Sequence, residues 1–206
     1  MKWLIVLLVL GVLAALAVAL WVAHVENTQH SQNQAYIDQQ ERSAFQSSDT
    51  AVIVFSRSGN TGVLAQHIAD TTDADIHEIF AKDYELGISG WISALRDARK
   101  TIATITPTVL NLEQYTTVYL GSPIWLYSPA PPIWQFAKDQ DFSGKDVILF
   151  NTFNSKFEQS YIDDFRSEVM ANGAKSFKHR YVNRGRMGNQ LTTEQMLDVF
   201  DSGNQL

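Results

Sequence analysis

Hydroxyl and amide side chains are concentrated in a short loop that follows an apolar run. The run covers residues 51–55, and the loop after it carries Ser56, Ser58, Gly59, Asn60 and Thr61. Hydroxyl groups can donate to phosphate oxygens, and a glycine permits a tight turn close to a ligand. A helix that begins here adds free N–H groups and a favourable dipole. The loop therefore predicts a phosphate site, although a plain capped strand–turn–helix unit explains the same residues.

Two more loops with binding chemistry follow later apolar runs. After residues 117–120 the chain carries Pro123, Ile124, Trp125, Leu126 and Tyr127. After residues 147–150 it carries Thr152, Phe153, Asn154 and Ser155. Large aromatic rings at the mouth of a sheet could stack on a planar ligand, and packing against a neighbouring helix is the alternative. The third loop alone is also explained as a capped strand-to-helix turn.

Several classes of protein are excluded by composition. The 206 residues contain no cysteine, which rules out a disulfide scaffold, a thiol nucleophile and thiolate metal sites. The net charge of -6 argues against nucleic-acid binding, which needs a basic surface. The first loop has neither the Gly-Lys-Ser/Thr of a nucleotide-binding P-loop nor a Gly-x-Gly-x-x-Gly pattern. No cluster of His, Asp and Glu has metal-ligand spacing, so neither a metal site nor a catalytic side chain is predicted.

The elements that position the loops read as an α/β fold. The three apolar runs are continuous and β-branched, which is typical of strands buried on both faces of a parallel sheet. Residues 75–80 and 176–181 alternate, as edge strands do. Helical stripes lie between these strands, including Trp91, Leu95, Ala98 and Ile102, and a stripe that starts at Phe157. The prediction is a five-stranded, doubly wound parallel sheet, whose ligands bind at the carboxyl ends of the central strands.

A long apolar segment precedes this domain. Residues 3–23 carry no charge and would cross about 30 Å of hydrocarbon as a helix, with Trp3 and Trp21 near the ends. A single-pass anchor is favoured over a cleaved signal peptide, because the apolar run exceeds the usual length, and over a buried soluble helix. Lys2 before the span and acidic residues after it place the domain on the non-cytoplasmic side. Residues 24–49 are predicted to be a polar stalk or a frayed helix before the domain at residues 50–206.

The motifs together resemble the flavodoxin family. The matching segments are Val-Phe-Ser-Arg-Ser-Gly-Asn-Thr at 54–61, Gly-Ser-Pro-Ile-Trp at 121–125 and Ser-Gly-Lys-Asp-Val-Ile-Leu-Phe-Asn-Thr at 143–152. The resemblance implies strand order 2-1-3-4-5 and one non-covalently bound FMN, in the short-chain form of the fold. By this match the first loop would hold the phosphate, and residues 123–127 and 152–155 would line the isoalloxazine. Trp125 or Tyr127 would stack on the ring.

Three functions are compatible with this resemblance. The first is a membrane-tethered FMN electron carrier, anchored in a lipid bilayer by residues 3–23 and exchanging electrons with redox proteins or a small acceptor such as a quinone. The second is an FMN-dependent reductase that oxidises NAD(P)H. The third is a flavin-free binding module, which the absence of glycine between residues 125 and 129 keeps open. The carrier is preferred over the enzyme, because no acid or base side chain is evident and a flavin supplies its own redox chemistry.

Overall fold

Five parallel strands and a short antiparallel one form the central sheet of the computed structural model, which describes residues 2–39, 48–186 and 189–203. The strands are β1 Thr50–Val54, β2 Asp75–Glu78, β3 Thr117–Trp125, β4 Ser128–Pro129, β5 Asp146–Phe153 and β6 Ser176–Asn183. Their order is β2-β1-β3-β5-β6, with β4 folding back onto the end of β3. This is the predicted order 2-1-3-4-5 once the unpredicted hairpin strand β4 is set aside, so the predicted fold class is confirmed.

The described residues also form six α-helices. They are α1 Lys2–Asp38, α2 Asn60–Thr72, α3 Ile88–Asp97, α4 Pro131–Asp139, α5 Gln159–Ala171 and α6 Thr193–Ser202. The predicted capping box at Thr192 is present before α6, and two prolines open α4. Two helical predictions extended too far. α3 ends at Asp97, so Ile102 lies beyond it and is exposed, and Phe157 precedes α5.

The alternating faces of β1 explain why its sequence is continuously apolar. Ala51, Ile53 and Phe55 pack into a core shared with α4 and α5, whereas Val52 and Val54 pack into a second core shared with α2 and α6. Both faces of the strand are therefore buried, as in other parallel sheets covered by helices on two sides. With its two faces covered, the sheet leaves its strand ends as the place for a ligand.

Helix α1 has two parts with different surroundings. Its first part is long and apolar enough to cross a membrane by length and composition, with a mean hydropathy of 3.0 over 18 residues. Large apolar side chains from Trp3 to Trp21 are exposed rather than packed into the domain. Its second part continues without a break through residues 24–38, which favours a helix over a polar stalk in that stretch. Here Tyr36 and Ile37 pack against the core beside α2. Residues 40–47 of the predicted linker lie outside the described residues.

Candidate functional site

The carboxyl ends of β1, β3 and β5 open into a cavity of about 320 Å³. This volume is at the lower end of the range found for small-molecule sites. Every predicted site residue except Gly59 lines it: Ser56, Ser58, Asn60, Thr61, Pro123, Ile124, Trp125, Leu126, Tyr127, Thr152, Phe153, Asn154 and Ser155. The three loops singled out in the sequence therefore meet at one place, although their role in binding stays a prediction.

Gly59 shapes the first loop from behind the cavity. It precedes α2 with φ 86°, a conformation that costs a glycine little, and no side chain caps the helix. A Cβ atom at this position would lie 2.7 Å from the Cβ of Asn33 in α1, so the packing also requires a glycine. Because the first N–H groups of α2 lack a side-chain cap, they remain suited to an anionic ligand.

A buried pair of hydroxyl groups joins the first loop to the third. The Oγ1 atoms of Thr61 and Thr152 are 2.8 Å apart, and both residues are buried. When Thr152 donates to Thr61, the hydroxyl hydrogen of Thr61 is left for another acceptor. The pair fixes the distance between the loops and leaves one donor for a ligand.

The polar half of α1 forms part of the cavity wall, although no residue of this segment was predicted to lie at the site. Asn33 donates through Nδ2 to the Ser58 carbonyl at 2.9 Å and to Asn60 Oδ1 at 2.7 Å. Gln29 accepts from Asn60 Nδ2 at 3.4 Å, and both Gln29 and Glu26 line the cavity. The available signal was the spacing of these three residues, which at intervals of three and four occupy one face of a helix.

Arg57 is committed to protein groups instead of facing a ligand. Its guanidinium pairs with Glu26 and donates to the Tyr84 and Gly87 carbonyls, each at 3.1 Å. Burial raises the pKa of Glu26, while the charge of Arg57 works in the opposite direction. The ion pair with Glu26 neutralises the positive charge of Arg57 in the first loop.

The second loop is a tight hairpin turn with an unusual backbone. Trp125 pairs with Ser128, so Leu126 and Tyr127 form a two-residue turn, with φ 40° and 83°. Trp125 packs edge-on against Phe55 and Tyr84, with ring centroids 5.6 Å and 5.2 Å away. Trp125 thus packs against two rings that lie outside the α-helices, while it still borders the cavity, and its stacking on a ligand stays a prediction.

Tyr127 is surrounded by positive charge. The Arg99 guanidinium and the Lys156 ammonium lie 5.8 Å and 5.1 Å from the centre of its ring. Cations at such distances are attracted by the face of an aromatic ring. Two cationic side chains therefore lie at the aromatic end of the cavity, although the whole chain is acidic.

In the third loop, Phe153 turns inward and Asn154 turns toward the chain end. The Phe153 ring is buried, 5.6 Å from the rings of both Phe157 and Tyr181. Asn154 accepts through Oδ1 from Gln190 Nε2 at 2.7 Å. The loop after β5 is thereby held by its neighbours on both sides.

Arg184 borders the same cavity and was missed in the sequence, where it looks like one of several charges in a surface loop. It directly follows β6 and is only 6% exposed. Its backbone N–H donates to the Phe153 carbonyl at 2.7 Å, and Nη2 donates to the Leu191 carbonyl at 3.3 Å. Nε and Nη1 are buried without a hydrogen-bond partner. Burial lowers the pKa of Arg184 to about 10, so the side chain is still charged at neutral pH.

Comparison with known proteins agrees with this architecture. A family model described as Flavodoxin matches residues 49–199. A protein classed as a flavoprotein from Bacteroides uniformis is 25% identical, with a TM-score of 0.57 over 74% of this chain and 99% of its own. A flavoprotein from Lactobacillus acidophilus, solved in complex with FMN, is 20% identical, with a TM-score of 0.50 over 64% of this chain and 93% of its own. No curated protein matches in sequence.

The parallel sheet with its strand-end cavity defines a doubly wound α/β protein, and the family match covers most of the chain. The chain belongs to the flavodoxin family. The predicted resemblance is therefore confirmed for residues 49–199, and α1 lies outside that match.

Proposed function

We propose that this chain binds one FMN in the strand-end cavity and carries electrons while tethered to a membrane by α1. The observation that carries the proposal is the shape of the site. One continuous cavity joins the start of α2, whose first N–H groups no side chain caps, to the turn at Leu126 and Tyr127. The first suits a phosphate and the second a planar ring. FMN has a phosphate at one end and an aromatic ring system at the other.

The residues present fit this cofactor. Ser56, Ser58, Asn60 and Thr61 would hold the phosphate through hydroxyl, amide and backbone donors. Residues 123–127 and 152–155 would enclose the ring from two sides. A bound flavin would supply the redox chemistry, and this chain would orient it and keep water from it. The FMN complex of the Lactobacillus acidophilus flavoprotein supports the assignment.

The tether is supported by the exposure of the apolar half of α1. Apolar side chains in such numbers on a free helix surface are covered in solution by a bilayer or by another protein. The acceptor or donor that we propose is a redox protein or a small molecule such as a quinone, at the membrane surface. The charge distribution around the span favours a domain on the non-cytoplasmic side.

The experiment that tests cofactor binding uses the full chain purified in detergent. After incubation with FMN and gel filtration, we expect a flavin absorption band to travel with the protein. Thr61→Val replaces the hydroxyl with a methyl group of similar size and should weaken FMN binding about tenfold. Thr71→Val is the matched control, because Thr71 bonds the His67 carbonyl at the far end of α2. No retained flavin at micromolar concentrations would refute the proposal and would favour a flavin-free binding module.

A second candidate function follows from the cations around Tyr127. Arg99 and Lys156 could attract the phosphates of a nicotinamide nucleotide, which would make the chain an FMN-dependent reductase of quinones or similar acceptors. The two functions differ in their reaction with NAD(P)H. Rapid loss of the flavin band on addition of NAD(P)H, followed by continuing NAD(P)H oxidation when a quinone is supplied, would identify the reductase. A pure carrier would show neither.

A further inference from the structure

The cavity wall contains one buried positive charge that no carboxylate in the described residues balances. Arg184 makes no ion pair with a carboxylate anywhere in the ranges that the structure covers. Its Nε and Nη1 atoms are buried without a partner. Burying an unpaired guanidinium is costly. Such a group therefore points to an absent partner, such as an ion, or to a functional role.

The other arginines near the site do not share this property. Arg57 is neutralised by Glu26 and saturated by carbonyl groups. Arg180 lies on the same strand as the residues leading to Arg184, but it donates to the Phe200 carbonyl at 2.6 Å and covers the Phe200 ring. Only Arg184 combines burial, a free pair of donors and a place in the cavity wall within the described part of the chain.

The position of Arg184 places it at the phosphate end of the cavity. Together with Asn60 and Gln29 it forms the wall between this cavity and an adjoining one of about 390 Å³, which lies between α1 and the start of α6. Asn60 is the first residue of α2, where the uncapped N–H groups lie. A cation from the end of β6 and the start of a helix therefore converge on one region.

We propose that Arg184 binds the phosphate group of the flavin and supplies the positive charge that the phosphate loop itself does not provide. The proposal rests on the proposed FMN function and extends it to a residue far from that loop in sequence. A phosphate monoester carries about 1.5 to 2 negative charges at neutral pH, which one guanidinium and several dipoles can balance. The buried Nε and Nη1 atoms have no protein partner and are the donors that this proposal assigns to the phosphate.

The consequence is a specific preference for FMN over riboflavin, which has the same ring but no phosphate. Flavin fluorescence titrations of the full chain in detergent measure both dissociation constants. For Arg184→Met we expect FMN to bind about 10 to 100 times more weakly, with riboflavin affinity unchanged within about twofold. Arg184→Lys keeps the positive charge, so its affinity for FMN should fall less than that of Arg184→Met. Arg180→Met is the matched control, since it removes a nearby arginine that has protein partners, and should keep the FMN preference.

Each outcome bears on the proposal. A smaller preference for FMN in Arg184→Met, partly restored in Arg184→Lys, supports it. Equal losses for FMN and riboflavin in both variants would mean that Arg184 only holds the fold, and unchanged FMN affinity in a folded variant would also overturn the proposal. If Arg184→Met does not fold, Arg184→Lys decides by the same comparison. If the unmodified chain binds neither FMN nor riboflavin, the proposed FMN function fails. That failure is distinct from a failure of the Arg184 proposal, because it is seen before any variant is made.

Discussion

At the scale of single residues, the site is built from side chains and backbone in conformations that are costly elsewhere. Leu126 and Tyr127 have positive φ although neither is a glycine or asparagine. Such residues typically cost about 1–3 kcal/mol each and are concentrated at functional sites. In a two-residue hairpin this conformation is normally supplied by Asn-Gly. The backbone is therefore strained at the turn that places the Tyr127 ring beside the cavity.

Relieving this strain should stabilise the protein. We expect Leu126→Asn to raise the free energy of unfolding by about 0.5–1 kcal/mol, because asparagine tolerates positive φ and Leu126 is 45% exposed. The measurement is urea denaturation of the full chain in detergent. Leu95→Asn is the control, because Leu95 is 44% exposed but lies in α3, where asparagine should lower stability. If both substitutions destabilised the protein equally, the interpretation that the backbone at Leu126 is strained would be wrong.

His179 predicts a pH dependence of stability. Burial lowers its pKa from 6.5 to about 4. Its Nε2 is 2.8 Å from Asn151 Oδ1, an oxygen that can only accept, so Nε2 carries the proton of the neutral ring. Below pH 6.5 the unfolded chain takes up a proton that the folded chain takes up only near pH 4. Folding stability should therefore fall by up to about 3 kcal/mol between pH 7 and pH 4.

The test compares this decline among three proteins. His179→Gln keeps a donor toward Asn151 but cannot titrate, so its unfolding free energy should fall less steeply over the same pH range. His67→Gln serves as the control, because the ring of His67 bonds Asp201 at the surface. The unmodified protein and His67→Gln should decline together. A decline in His179→Gln as steep as that of the unmodified chain would exclude His179 as the cause.

At the scale of elements, the main finding is that α1 contacts the loop where α2 begins. Asn33 is 4% exposed, holds the Ser58 carbonyl and packs on Gly59, while Glu26 binds Arg57 in the same loop. These contacts fix the loop in one conformation before any ligand arrives. Preorganisation of this kind improves affinity because less ordering remains to be done on binding.

Removing the Asn33 side chain should therefore affect both folding and the cofactor. We expect Asn33→Ala to lower the unfolding free energy by about 1–3 kcal/mol, because the Ser58 carbonyl loses a buried donor. FMN affinity should fall by about fivefold or more as the loop gains freedom. Gln34→Ala is the matched control, because Gln34 is exposed and bonds only Asp38 on its own helix. Urea denaturation and FMN titration measure the two effects, and unchanged FMN affinity in Asn33→Ala would show that the contact does not shape the loop.

The sequence predicted the sheet and the three loops because each depends on local pattern. Continuous apolar runs such as residues 51–55 report burial on both faces, and the loops after them necessarily meet at one sheet edge. Contacts between distant segments could not be predicted in this way. Arg184 and Asn33 reach the site only through tertiary packing. The polar residues 24–38 looked like a stalk because the sequence does not show the surface of the domain on which they pack. The hairpin at Leu126 was missed because its residues are not those that such turns prefer.

At the scale of the whole molecule, an acidic domain is joined to a helix that is apolar along its first half. The whole chain carries a net charge of -6, which contrasts with the cations near Tyr127. An anionic small molecule would therefore meet a locally favourable potential at the cavity, while an approaching protein would meet a mostly negative surface. Partner choice would be governed by that contrast.

The tether can be tested by placing charge in the span. We expect the full chain to remain with membranes after alkaline extraction, whereas Leu10→Arg with Leu13→Arg should release much of it, since each arginine costs about 2.5–3.5 kcal/mol near the centre of a span. The control replaces both leucines with isoleucine and should behave like the unmodified chain. FMN affinity should be equal in all three proteins. Release of the unmodified chain, with a shortened N-terminus by mass spectrometry, would instead identify a cleaved signal peptide.

The uninterrupted course of α1 limits how far the cofactor could travel. At about 1.5 Å per residue, Glu26 lies only about 5 Å beyond residue 23 and Asn33 about 15 Å beyond it. If α1 spans the bilayer, a flavin in this cavity would be held at a nearly constant height above the membrane surface. A carrier without an anchor could diffuse from its donor to its acceptor, whereas the tethered carrier proposed here would need both partners to reach it in the membrane plane. Such a protein is suited to passing electrons between partners that are already beside it, rather than to carrying them over a distance.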